Sequence, residues 1–201
     1  RRLAEQYVKA RNPDTRLGAY QFTQPRKTQE PSSDDATQSW FGDRAKRQFG
    51  PELPGHQVLE ATLLLNRLAL TIYSHNALMQ LQLAQALGDE GRGFQQWTHD
   101  GMAAFVHYAY NPTSNTFRPM LTDGTNLSGF VLKRDGYYGR AGIKLAPYPA
   151  TGEYLVSYAR GFLVTGDSDF WSVAREIARA EGLGDIGTAP GQDVRVNLAT
   201  A

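Results

Sequence analysis

Residues 153–180 read EYLVSYARGFLVTGDSDFWSVAREIARA, two helical stretches with a Gly-Asp pair between them. The pattern predicts helices over Glu153–Val164 and Ser168–Ala180. In the second, Phe170, Trp171, Ala174, Ile177 and Ala178 recur at the spacing of one buried helix face. Gly166 closes the first helix because glycine alone enters the left-handed conformation without penalty, and Asp167 favours the next N-terminus through the helix dipole. So short a turn makes the two helices antiparallel neighbours. The same device stands at Gly88-Asp89. It follows a helical region over Val58–Leu87, whose apolar positions include Leu64, Leu68, Ile72, Leu78, Leu81 and Leu83, with a bend near Ser74-His75-Asn76. A further helix over Gly93–Tyr110 comes after it, with Phe94, Trp97, Met102, Phe105 and Tyr108 as its core side.

A second recurring pattern is Asn-Pro after a helix, at Asn12-Pro13 and Asn111-Pro112. Proline cannot continue the helix, and asparagine tolerates the geometry needed there. An aromatic, strand-like segment follows each copy: Tyr20–Phe22, within an extended stretch over Ala19–Lys27, and Phe117. A short helical stretch at 1–11 precedes the first copy, and a polar connection at 28–55 follows its strand. Tight Gly-Asp turns alternating with long Asn-Pro excursions place the turns on one rim and the loops on the other. The expected fold class is therefore all-α, a partial α/α toroid of antiparallel helical hairpins with short β-strand excursions in its rim loops. Functional residues gather on the long-loop rim of such a fold. One partial barrel domain is expected over residues 1–187, with 188–201 as a tail or the start of a further element.

The longest excursion, 111–149, reads NPTSNTFRPMLTDGTNLSGFVLKRDGYYGRAGIKLAPYP. Connections of this length are functional or disordered in compact domains. Its Phe, Tyr, Leu and Val content argues against disorder. Short strands are expected at Thr116–Leu121 and Phe130–Arg134. Arg118, Lys133, Arg134, Arg140 and Lys144 outnumber Asp123 and Asp135 in it. A basic, aromatic, turn-rich loop suits an anionic ligand, and a carbohydrate bearing carboxylates fits best.

The net charge is +1 with 20% charged residues, so no global field would draw the chain to nucleic acid or a membrane surface. There is no cysteine, which excludes disulfides and thiolate metal sites and leaves periplasm and cytoplasm both open. The apolar run from Leu68 to Tyr73 is too short to span a bilayer. The chain opens on Arg1-Arg2 within helix-like sequence, and reads as a piece of something longer. No phosphate loop, nucleophile elbow or dinucleotide fingerprint occurs in it.

Four runs carry a resemblance: LGAYQFTQPRK at 17–27, GDRAKRQFGPE at 42–52, FRPMLTDGTNLSGFVLKRDGYYG at 117–139 and AEGLGDIG at 180–187. Together they resemble polysaccharide lyase family 2, bacterial pectate lyases with an α/α-barrel fold, from about Leu3 to Gly187. Members are considerably longer than this chain, which would then be their C-proximal part. The resemblance implies β-elimination on polygalacturonate with a 4,5-unsaturated product, an arginine base, and a divalent metal, manganese first, beside the substrate carboxylate. It also implies two His and one Glu as metal ligands, one His adjacent to the basic Arg. No Arg-His pair occurs in this sequence. The base and the metal ligands are therefore expected outside this chain, in a missing N-terminal half, and no catalytic or metal residue is assigned.

Substrate-binding candidates are Arg26, Lys27, Arg44, Arg47, Arg134, Tyr137, Tyr138 and Lys144. Arginine grips a planar carboxylate through two parallel hydrogen bonds, which favours Arg26, Arg44 and Arg47, with Lys27 beside the first. Tyr137 and Tyr138 lie between Gly136 and Gly139, and a tyrosine ring can stack on a pyranose. Adjacent side chains of an extended segment point opposite ways, so at most one meets the sugar. His56, His75, His99 and His107 show no metal-ligand spacing and read as structural or surface residues. Asp123-Gly124-Thr125-Asn126 reads as a turn. Trp97 and Trp171 read as core, and Trp40 as the indole free for a ligand. Two alternatives stay open: an α/α-toroid glycuronyl hydrolase, which needs two carboxylates paired across a cleft, and a non-catalytic uronate-binding or structural fragment.

Overall fold

A computed structural model describes residues 2–18, 40–53 and 55–191, the side chains of 40–44 and 56 excepted. It is mostly helical, with a few very short strands. The helices are α1 (Arg2–Lys9), α2 (Trp40–Phe49), α3 (Gly55–Glu60), α4 (Ala77–Leu87), α5 (Arg92–Ala109), α6 (Gly152–Thr165) and α7 (Ser168–Ala180). The strands β1 (Tyr110–Asn111), β2 (Thr116–Phe117) and β3 (Tyr148–Pro149) form one antiparallel sheet in the order β1-β2-β3. No described helix is long and apolar enough to cross a membrane. The described residues group into two compact units: one reaches to Leu68 and includes Arg118–Pro147, and the other holds Ala69–Phe117 and the residues from Tyr148 onward.

The second of these units is built on aromatic stacking. Phe117 of β2 is fully buried, its ring centroid 4.5 Å from those of Phe105 and Tyr154. Phe105 stacks in turn on Tyr73 at 4.1 Å. The α6–α7 hairpin closes as its sequence dictates. Gly166 adopts φ +76 and its N–H donates to the Phe162 carbonyl, while the Asp167 carboxylate accepts from the Asp169 N–H at 2.9 Å. A Cβ on Gly161 would stand 2.8 Å from the Phe170 ring, so glycine lets α6 approach α7. At the earlier Gly-Asp pair the turn is a 3-10 segment, Gly88–Gly91, and a Cβ on Gly91 would collide with the Ala84 backbone.

The helix expected over Val58–Leu87 is interrupted. After α3 a 3-10 turn covers Thr62–Leu64, and the Asn66 side chain then accepts from the Leu68 N–H in a local turn. The Leu64 carbonyl, instead of feeding a helix, accepts from the Met120 N–H. The apolar spacing persists through 61–68, which is why periodicity alone misses the break. The expected irregularity near Ser74-His75-Asn76 is a π-helical turn over Thr71–Asn76, where Ser74 Oγ donates to the Glu153 carbonyl at 2.7 Å.

Both Asn-Pro motifs form side-chain turns. Asn12 Oδ1 accepts from the N–H groups of Asp14 and Thr15, and Asn111 Oδ1 from that of Thr113. The extended stretch expected over Ala19–Lys27 lies outside the described residues. Within the connection at 28–55 the structure places helix α2, which polarity and glycine obscured. Ala45, Gln48 and Phe49 are its buried face, and Lys46 and Arg47 its exposed one.

Candidate functional site

The long excursion folds onto α2. Residues 129–145 double back on themselves, with the Leu132 N–H donating to the Ile143 carbonyl and the Leu145 N–H to Phe130, and a bridge between Val131 and Lys144. The strand expected over Phe130–Arg134 does not form beyond that single bridge, because the Lys133 N–H turns away from the hairpin and donates to the Gln48 carbonyl at 2.8 Å. The strand expected over Thr116–Leu121 stops at Phe117 for comparable reasons: Pro119 has no N–H to give, and that of Met120 goes to Leu64. Asp123-Gly124-Thr125-Asn126 is a turn, with Gly124 at φ +88 and Asp123 Oδ1 accepting from the Thr125 N–H.

Gln48 joins the two pieces. It is only 2% exposed; its Nε2 donates to the Gly139 carbonyl at 2.7 Å, and its Oε1 accepts from the Tyr138 N–H at 3.1 Å. A Cβ on Gly136 would stand 2.5 Å from that Oε1, so the Gly136-Tyr-Tyr-Gly139 turn wraps the amide as closely as a backbone can. Phe49, next along α2, stacks on Phe130 at 5.3 Å and meets Tyr138 edge-on at 5.1 Å. A buried amide and an aromatic cluster thus fix α2 against the hairpin.

That junction brings Lys46 and Arg47 of α2 opposite Lys133 and Arg134 of the hairpin. With Gly50, Pro51 and Glu52 they line an open cleft of about 550 Å³. Glu52 is the sole acidic side chain on its walls among the described residues. Its carboxylate lies 3.4 Å from Lys133 Nζ, with both side chains about half exposed. Its own backbone N–H, then Lys133, hold the Glu52 carboxyl below the usual carboxylate range. Lys133 Nζ also sits 5.6 Å over the Phe130 ring. Among the described residues no carboxylate pairs with Lys46, Arg47 or Arg134. Among the described residues the cleft therefore presents Lys46, Arg47 and Arg134 with no carboxylate partner and Lys133 loosely held, an arrangement that can take up a polyanion carrying spaced carboxylates.

The sequence candidates separate. Arg47 and Arg134 meet in the cleft. Tyr137 is 67% exposed at the turn's tip, whereas Tyr138 turns inward, its hydroxyl 3.0 Å from Thr62 Oγ1. Lys144 lies on the hairpin, its stem beside Gly129, and is not among the cleft residues. Arg26 and Lys27 lie outside the described residues, and Arg44 and Trp40 belong to α2 with side chains that do too. Lys46 and Lys133, which the sequence does not single out, line the cleft beside Arg47 and Arg134. For Lys46 a signal exists in the helical phase of α2, which puts it on one exposed face with Arg47; Lys133 carries none.

For a metal the described residues offer no group of three candidate ligands. His99 has a carboxylate on each ring nitrogen, Asp167 2.9 Å from Nε2 and Asp100 3.4 Å from Nδ1. Two acids on opposite sides of one imidazole cannot converge on a single ion. The two-His, one-Glu set does not fit these residues. Trp171 is buried, its Nε1 donating to the Gly187 carbonyl at 3.0 Å, and Trp97 packs edge-on against Phe94 at 5.5 Å.

The sequence model of a family described as periplasmic pectate lyase matches residues 1–201. A pectate disaccharide-lyase of Dickeya dadantii (strain 3937) is 41% identical over 168 residues, 83% of this chain. The chain spans 30% of that relative's length.

Proposed function

The chain belongs to the periplasmic pectate lyase family, and from that premise we propose that it serves β-elimination on polygalacturonate, chiefly by binding the substrate's carboxylates. The observation that carries this reading is the cleft in which Lys46, Arg47, Lys133 and Arg134 converge. In β-elimination a base removes the proton from C5, the electron pair forms the C4–C5 double bond, and the glycosidic C4–O bond breaks. Negative charge develops on the uronate carboxylate as the proton leaves. A guanidinium already bonded to that carboxylate stabilises the transition state more than the ground state. Arg47 and Arg134 suit this role because a planar fork matches a planar anion. Lys46 and Lys133 would hold neighbouring uronates as point charges. Tyr137, exposed at the hairpin tip, is positioned to stack on a sugar.

The reading includes the α/α-toroid architecture that the family resemblance implies. It also includes a divalent metal, manganese first, with ligands and catalytic base supplied from outside this chain. A uronate-binding segment without catalysis would use the same cleft, and product formation separates the two. The test is a calorimetric titration of the 201-residue chain with trigalacturonate, alongside ultraviolet absorbance on polygalacturonate with manganese and a chelator control. Saturable binding without an absorbance rise is expected. A chelator-sensitive rise would place base and metal site within these residues. Folded protein that does not bind trigalacturonate would remove the reading.

A further inference from the structure

Glu52 is an odd residue to find in a cleft for anions. Its place there is built rather than incidental: Gly50 adopts φ +94, and a Cβ on it would stand 2.6 Å from Glu52 Oε2. The absent side chain leaves room for the carboxylate to fold back beside the α2 terminus, where it faces Lys133. At 3.4 Å the contact is longer than a well-formed charge-assisted hydrogen bond, and both partners are half open to water. Such a pair is weak and exchangeable. Lys133 keeps a second hold, over the Phe130 ring, that does not depend on Glu52.

We propose that Glu52 is an internal counter-ion that occupies Lys133 until a ligand carboxylate displaces it, and so sets the affinity of the cleft for uronates. The inference rests on the uronate-binding reading above. An incoming carboxylate takes the position of Glu52 on the ammonium, and Glu52 swings into solvent, which its half exposure permits. Lys133 remains above Phe130 in both arrangements. Uncharged sugars cannot make the exchange, and meet a cleft whose lysine is still paired. The device lowers absolute affinity for uronates while it rejects neutral chains. A lowered affinity favours release of fragments from an enzyme that must rebind a long polyanion.

Trigalacturonate titrated by calorimetry into the full chain and into Glu52→Gln, Lys133→Met and the double variant tests this. Glu52→Gln is expected to bind roughly two- to fivefold tighter, the range an exposed ion pair can supply. In the Lys133→Met background the same change is expected to give no gain. A gain of equal size in that background would mean that Glu52 merely repels anions through space, and overturns the proposal. Weaker binding by Glu52→Gln would make Glu52 a partner of the sugar, and overturns it equally. If the unsubstituted chain does not bind trigalacturonate, the uronate reading of the cleft fails and this inference falls with it. Binding with no coupling between the two residues removes this inference alone.

Discussion

The α6–α7 hairpin and the junction of α2 with residues 129–145 are held by different means. The hairpin, with the aromatic stack around Phe117, depends on apolar burial and on turns closed by Gly166 and Asp167. Most of its interactions are local in sequence, or made between helices whose spacing announces them. The junction depends on a buried glutamine and a glycine-flanked turn about 90 residues further along the chain, and it leaves its charges facing water. The first arrangement spends its side chains on stability. In the second, cohesion is concentrated in Gln48 and Phe49 and the remaining side chains are open to a ligand.

The largest expected effect tests the first half of that contrast. Phe117→Ala removes a fully buried ring that touches Phe105, Tyr110 and Tyr154. Truncations of this kind cost about 3–5 kcal/mol, and urea denaturation would read the loss. A loss below about 1 kcal/mol would mean that the stack does not hold this unit together.

Arg47→Ala and Arg134→Ala test the other half. Each removes a charge-assisted contact of about 1.5–3 kcal/mol, so each should weaken trigalacturonate binding by roughly ten- to a hundredfold. Both positions are exposed, and stability should stay within about 0.5 kcal/mol of the parent. A stability loss without an affinity loss would invert the comparison.

Gln48→Ala sits where the two descriptions meet. It removes the hydrogen bonds that Gln48 makes with the Tyr138 N–H and the Gly139 carbonyl, of which the carbonyl keeps the one from the Gly136 N–H, at a cost of about 1–3 kcal/mol. Affinity should fall as well, since Lys133 and Arg134 are carried on the hairpin that Gln48 holds. Unaltered affinity in a destabilised but folded protein would show that the hairpin keeps its place through Phe49 and Phe130 alone.

The contrast also explains what the sequence disclosed. Helices α5, α6 and α7 were legible to within a residue or two because apolar spacing and Gly-Asp punctuation agree there. Helix α2 was not, since among its described side chains the buried face is Ala45, Gln48 and Phe49, one of them polar, in a run of charges. The break after Glu60 was hidden because a turn satisfied by Asn66 leaves the leucine spacing intact. For the site, the basic character of both segments was visible. Their meeting was not, because it depends on Gln48, and a lone glutamine carries no pattern. Only the junction places Lys133 and Arg134 in one cleft with Lys46 and Arg47.

The smallest effect concerns the turn that was easiest to read. Asp167 has two duties: Oδ1 accepts from the Asp169 N–H at the start of α7, and Oδ2 lies 2.9 Å from His99 Nε2. Asp167→Ala removes both and should cost about 1 kcal/mol, the usual value of a lost N-cap. Asp167→Asn keeps a side-chain oxygen for the cap and removes only the charge that faces His99. If capping dominates, the asparagine variant recovers most of the stability lost by alanine, as thermal melts would show. If the two variants melt together, the contact between α5 and the head of α7 outweighs the cap. The hairpin would then owe its closure to a long-range polar pair, and the line drawn here between a locally specified region and a remotely specified one would have to move.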